Sequence, residues 1–153
     1  MRIAIIGAGA WGTGLAIILG RQGSHHIHLW AYEKDVCDAI AAARINKLFL
    51  PQLPIPDSVT ATSSLKQALE GAEIVVSVMP AQHCRSLYSA MRPYLRHEML
   101  FVSATKGLEQ QTLLRMTEVI TATAGSPNTF VPRVGALSGP SFAFEAARCM
   151  ATA

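Results

Sequence analysis

The stretch Arg2-Ile3-Ala4-Ile5-Ile6-Gly7-Ala8-Gly9-Ala10-Trp11-Gly12 decides the fold. Five residues dominated by Ile and Ala form an apolar run that reads as a buried strand. Glycines then follow at the spacing G-x-G-x-x-G, and an apolar helical pattern with Leu15, Ile18 and Leu19 on one face comes next. Strand, glycine turn and helix in this order make a diphosphate cradle. Gly7 permits the tight turn, Gly9 lets the backbone approach a pyrophosphate, and Gly12 allows the helix to pack against the sheet. The free N–H groups and positive dipole end of that helix favour an anion. In this context the turn predicts dinucleotide binding.

Outward from the turn, strands and helices alternate. The patterning predicts strands at 2–6, 26–30, 60–62, 74–79, 100–103 and 134–137, and helices at 11–22, 33–44, 65–69, 82–91, 112–123 and 141–147. Gly23 is a stop for the first helix, and Ser64-Leu65-Lys66-Gln67 has the form of a capping box. Residues 46–57 hold Pro51, Pro54 and Pro56 and read as an extended connection; 125–132 read as a polar loop. The order predicts an α/β domain, a doubly wound, mostly parallel sheet with right-handed crossovers, which is the Rossmann arrangement. Residues 150–153 read as the opening of a further strand, so the chain is expected to be the N-terminal domain of a longer, two-domain protein.

Composition supports one well-filled core. The chain has 153 residues, of which 50% are hydrophobic and 15% charged. A domain of this size buries roughly 68–70% of its unfolded surface. The net charge is +3 and the basic residues are scattered, which gives no footprint for nucleic acid. No apolar run reaches the roughly 20 residues of a membrane span, and none resembles a signal peptide. Cys37, Cys84 and Cys149 are odd in number and far apart, the pattern of reduced thiols in a cytoplasmic protein.

Glu33 lies 24 residues after Gly9, near the usual offset for an acid that accepts from a ribose 2′-OH. A carboxylate there repels a 2′-phosphate, which favours NAD over NADP, although Lys34 softens the discrimination. The alternative is that Glu33 only favours the start of the next helix, and spacing does not separate the two. His25, His26 and His28 lack a nearby acidic or cysteine partner and are not read as a metal site. His83 and Cys84 are adjacent and point apart on a helix, which argues against a catalytic pair. Trp30 reads as packing.

Five further segments occur in order after the glycine turn: Leu29-Trp30; Asn46 with Phe49-Leu50-Pro51 and Leu53-Pro54; Val78-Met79-Pro80-Ala81-Gln82; Ala104-Thr105-Lys106-Gly107-Leu108-Glu109; and Leu137-Ser138-Gly139-Pro140-Ser141-Phe142-Ala143. Together they resemble the NAD(P)-dependent glycerol-3-phosphate dehydrogenases over essentially the whole chain. The resemblance implies reversible hydride transfer between NAD(P)H and dihydroxyacetone phosphate, giving sn-glycerol 3-phosphate for glycerophospholipid synthesis. It implies NAD as cofactor, with NADP possible, and no metal.

By the same resemblance Gly7, Gly9, Ala10, Trp11 and Gly12 border the pyrophosphate, and Tyr32 and Glu33 border the adenosine. Pro80 faces the nicotinamide end, and Ala143 contacts the cofactor. Lys106 is the active-site lysine, touching cofactor and substrate, while Gly139 and Ser141 contact substrate. Many bacterial members carry Arg where this chain has Tyr32, and the aromatic followed by Glu looks more like NAD-preferring members. The resemblance also implies a cytoplasmic homodimer. Its C-terminal helical domain, which holds the general acid and remaining phosphate ligands, is absent from these residues, so the chain alone is expected to turn over little substrate. The competing readings are another Rossmann reductase, of hydroxy-acid or ketopantoate type, and a non-catalytic nucleotide-sensing module.

Overall fold

A computed structural model of the chain describes residues 1–125, 130–139 and 142–150. Its centre is a six-stranded sheet made of β1 (Arg2–Ile6), β2 (His26–Trp30), β5 (Val59–Thr62), β6 (Ile74–Ser77), β7 (Leu100–Ser103) and β8 (Arg133–Ala136). The spatial order is β5-β2-β1-β6-β7-β8 and every pairing is parallel. The chain first winds one way from β1, through β2 to β5. It then returns to the other side of β1 to lay down β6, β7 and β8. That reversal is the topological switch point, where open α/β sheets bind ligands outside the strand ends.

Alternation along β1 shows why both faces are covered. Ile3 and Ile5 pack into one apolar cluster with Leu15 and Ile17 of helix α1 (Ala10–Arg21) and with Val36 and Ile40 of α2 (Lys34–Ala43). Ala4 and Ile6 pack into a second, with Leu69 of α3 (Leu65–Leu69), Tyr88 and Met91 of α4 (Cys84–Met91), and Val119 and Ile120 of α5 (Met116–Ala124). Successive strand side chains point to opposite faces, so a run apolar at every position fills two cores. The last helix, α6 (Ala143–Ala147), lies on α1, where a Cβ on Gly14 would stand 3.1 Å from the Ala143 carbonyl oxygen.

The expected doubly wound sheet is observed, with four local differences. Residues 46–57 are more than an extended connection: β3 (Ile45–Asn46) and β4 (Leu50–Pro54) form an antiparallel hairpin outside the main sheet. Pro51 and Pro54 are compatible with it because a two-stranded ribbon is all edge. The strand expected to reach Met79 ends at Ser77, where the Thr105 hydroxyl accepts the Met79 N–H and takes it out of the ladder. The helix expected from Thr112 begins at Met116. Leu113 has φ 58° and Leu108 bridges Arg115, so 108–115 is a folded loop closed by long-range pairing that local periodicity does not report. The last helix begins at Ala143, and the residues expected to open it at Ser141 lie outside those described.

Candidate functional site

A cleft of about 550 Å³ opens at the carboxyl ends of β1, β2 and β6. Gly7, Ala8 and Gly9 form one wall, Trp30, Tyr32 and Glu33 another, and Val78, Met79 and Pro80 a third. Phe49 from the β3–β4 hairpin and His83, Ser86 and Leu87 close the rest.

The three motif glycines sit in three different environments. Gly7 has φ +121°, and a Cβ on it would lie 2.1 Å from the Val78 carbonyl oxygen. Its N–H donates to the Trp30 carbonyl at 3.0 Å, so it is wedged between the ends of β2 and β6. A Cβ on Gly12 would lie 1.8 Å from the Gly7 carbonyl oxygen, so only glycine lets the helix start this close to the turn. Gly9 differs: a Cβ there would meet nothing within 4 Å. Its backbone is extended and it occupies the N-cap of α1, where no side chain caps the helix. The first-turn amides of α1 therefore have no intrahelical acceptor. An open-sided glycine at an uncapped helix start fits a diphosphate, which would supply the missing acceptors.

The residues expected on the adenosine side lie just after β2, beside Trp30 at its end. Trp30 is nearly buried, and its indole N–H donates to the Ser63 carbonyl at 3.0 Å, which fixes the ring as packing. Tyr32 meets it edge-on at 6.3 Å between centroids and is 81% exposed, so its face is available. Glu33 is the N-cap residue of α2 but makes no capping hydrogen bond with its side chain. A favourable interaction with the helix dipole needs no such bond, so both readings of Glu33 stand. The Lys34 ammonium pairs with the Asp38 carboxylate at 2.7 Å.

Lys106 is exposed in the loop after β7, outside the residues that line the cleft. The loop is tied to the cleft through its neighbour. Thr105 Oγ1 donates to the Ser77 carbonyl at 3.2 Å and accepts from the Met79 N–H at 3.3 Å. Gly107 has φ +100°, and a Cβ on it would stand 3.7 Å from Ala81, directly beside Pro80. The segments 78–82 and 104–109, read separately in the sequence, thus form one paired edge.

Of the expected cofactor contacts, Gly7, Gly9, Tyr32, Glu33 and Pro80 line the cleft. Ala10, Trp11 and Gly12 form the first turn of the adjoining helix, and Trp11 packs on the apolar core. Ala143 sits against Gly14, and Gly139, with φ +143°, follows β8; both lie outside the lining. Ser141 falls outside the described residues. His83 lines the cleft whereas Cys84 is fully buried, so the two side chains do diverge. Burial pushes the Cys84 thiol up to about 11, the opposite of a reactive thiolate.

Thr13 and Ser86 carry no signal in the sequence, and no spacing rule finds them; Ala8 stands inside the glycine motif without a stated role. Phe49 and Asn46 stood in a recognised segment but carried no stated role.

Comparison with known proteins matches this arrangement. The family profile described as NAD-dependent glycerol-3-phosphate dehydrogenase N-terminus matches residues 2–153. A glycerol-3-phosphate dehydrogenase [NAD(P)+] of Koribacter versatilis is 59% identical over 147 residues, covering 96% of this chain and 43% of that protein. One from Acidobacterium capsulatum is 44% identical over 155 residues, covering 99% of this chain and 46% of that protein. The crystal structure of glycerol-3-phosphate dehydrogenase from Coxiella burnetii superposes with a TM-score of 0.85 at 34% identity, covering 96% of this chain and 43% of that one. The chain thus spans less than half the length of these relatives. With the glycine turn, the Lys106 loop and the residues between them all falling inside the matched region, the chain belongs to the NAD(P)-dependent glycerol-3-phosphate dehydrogenase family.

Proposed function

We propose that residues 1–153 are the dinucleotide-binding domain of an enzyme that reduces dihydroxyacetone phosphate to sn-glycerol 3-phosphate, reversibly, with NAD as preferred cofactor. The observation that carries this reading is Gly9, open on its Cβ side at an uncapped helix start on the wall of the switch-point cleft. A bound reduced nicotinamide supplies the hydride. The chain's own residues position and polarise. Gly7, Gly9, Ala10, Trp11 and Gly12 receive the diphosphate, Tyr32 and Glu33 border the adenosine, and Pro80 and Ala143 border the remainder of the cofactor. Gly139 and Ser141 border the substrate.

Lys106 is the catalytic residue contributed by this domain. As hydride adds to the carbonyl carbon, negative charge grows on the oxygen, and an ammonium beside it stabilises that charge. The proton that completes the alcohol comes from a general acid, which we assign to a C-terminal helical domain together with the groups holding the substrate phosphate. The complete enzyme acts in the cytoplasm as a homodimer and feeds glycerophospholipid synthesis. Among the described residues, no helix is long and apolar enough to cross a membrane.

Fluorescence titration with NADH and an NADH-oxidation assay test the reading. The chain should bind NADH yet oxidise it little with dihydroxyacetone phosphate, and the protein extended by its helical domain should do both. An extended protein that binds NADH but leaves dihydroxyacetone phosphate unreduced defeats the proposal.

A further inference from the structure

We infer that Asn46, a buried residue outside the cleft, aims the glycine turn at the diphosphate. Asn46 is 1% exposed and ends β3 beside the hairpin loop, across from Leu50. Its Nδ2 donates to the Ala8 carbonyl at 2.8 Å and to Thr13 Oγ1 at 2.8 Å. Its Oδ1 accepts the Phe49 N–H at 3.2 Å. Thr13 is fully buried, and its hydroxyl donates to the same Ala8 carbonyl at 3.2 Å. Both amide hydrogens of Asn46 are thus used, and the Ala8 oxygen holds two donors.

The consequence follows from the peptide plane. The Ala8 carbonyl and the Gly9 N–H belong to one trans unit and point in opposite directions. Two donors hold that carbonyl toward Asn46 and Thr13, so the Gly9 N–H of the same peptide unit is turned away from them. The third bond of Asn46 fixes the backbone of Phe49, which also lines the cleft. One amide side chain therefore sets two walls of the cleft while touching nothing inside it. Asn46 is a positioning residue, with Thr13 as its relay. The hairpin that interrupts the usual helix-to-strand crossover is, on this account, the part that stiffens the turn.

This inference rests on the dinucleotide-binding reading, and its test separates the two. Calorimetry and NMR would compare ADP-ribose with adenosine, which lacks the diphosphate, on wild type, Asn46→Ala, Thr13→Val and Thr13→Ser. Asn46→Ala and Thr13→Val should weaken ADP-ribose roughly tenfold, the scale of one lost orienting hydrogen bond. Adenosine should bind as before, and Thr13→Ser, which keeps the hydroxyl, should restore ADP-ribose affinity. The Gly9 amide resonance should shift with ADP-ribose in wild type and shift less in Thr13→Val. If Asn46→Ala does not fold, the two Thr13 variants decide the question. Unchanged ADP-ribose affinity in folded variants, or an equal loss for adenosine, overturns the inference alone. A wild-type chain that binds no ADP-ribose overturns the functional reading and takes this inference with it.

Discussion

The Arg85 guanidinium forks onto the Glu109 carboxylate, with Nε to Oε1 at 2.8 Å and Nη2 to Oε2 at 2.7 Å. Arg85 lies on α4 and Glu109 follows Lys106 by three residues, so the pair staples the Lys106 loop to the helix beside the cleft. The two-pronged geometry fixes orientation as well as distance. Thr112 Oγ1 donates to the same carboxylate, and the Glu109 and Leu114 backbones pair within the loop.

The Arg85 fork, with help from Thr112, holds the Glu109 carboxyl at about 2, against an ordinary value of 4.5. Arg115 does the same for Glu118, also to about 2. A carboxyl held lower in the folded state stabilises above its unfolded value. That contribution fades as pH falls from about 4.5 toward about 2. Thermal melts across this range should show the wild-type midpoint falling with acidity. Glu109→Gln should give a shallower fall, and Glu109→Gln with Glu118→Gln a shallower one still. Parallel curves for wild type and the double variant would contradict the assignment.

Gly9→Ala and Gly12→Ala should part ways. The Gly9 backbone is extended at φ −65° and its Cβ side is open, so alanine fits and the melting temperature should hold. Dinucleotide affinity should nevertheless fall at least roughly tenfold, because the methyl occupies the path of the phosphates. A Cβ at Gly12 meets the Gly7 carbonyl oxygen at 1.8 Å, so the turn must move. Gly12→Ala should lose binding and also cost about 1–3 kcal/mol of stability, the usual range for overpacking. Paired denaturation and NADH titrations read both effects.

Lys106→Ala, made in the protein extended by its helical domain, should lower kcat with dihydroxyacetone phosphate roughly 10²–10⁴-fold, the range for a group acting on transition-state charge or proton transfer. NADH affinity should change far less, because the proposed diphosphate grip is the glycine turn, not the Lys106 loop. Lys106→Arg should not restore the rate, since a planar fork does not reproduce a point charge. Steady-state kinetics beside a binding titration separate these effects, and an unaltered kcat would remove Lys106 from the chemistry.

Glu33→Gln should narrow the preference for NADH over NADPH by roughly tenfold at low salt, by removing a like charge from beside a 2′-phosphate. Lys34 is engaged with Asp38 in an exposed pair, which competes with any role in holding that phosphate. Affinities for the two cofactors across a salt series provide the check. A preference that stays put in Glu33→Gln would assign the residue to the helix start alone.

The legible part of the fold was the part written in local periodicity. Residues 2–6, 26–30 and 100–103 read as strands at their observed limits, because 2–6 and 100–103 are mostly apolar runs and 26–30 alternates histidine with apolar residues. Ser64 was read as a helix cap, and its Oγ does accept the Gln67 N–H, at 3.4 Å. Residues 112–115, expected to open a helix, instead close a loop, because Leu108–Arg115 pairing and the Glu109 staple outweigh a local preference. Residues 46–57, which include most of the hairpin, read only as extended, since their three prolines exclude helix without naming a strand partner.

The order of residues by itself determined a glycine turn between a buried strand and a helix, a doubly wound sheet, and a family whose segments recur in sequence. Those features depend on spacing along the chain, and spacing is visible in one dimension. Tertiary structure alone decided that Asn46 and Thr13 grip the Ala8 carbonyl, that Thr105 joins the ends of β6 and β7, and that Arg85 anchors the Lys106 loop. Each of those contacts closes a gap in sequence through a directional hydrogen bond, and its geometry exists only after the sheet has brought the distant segments together.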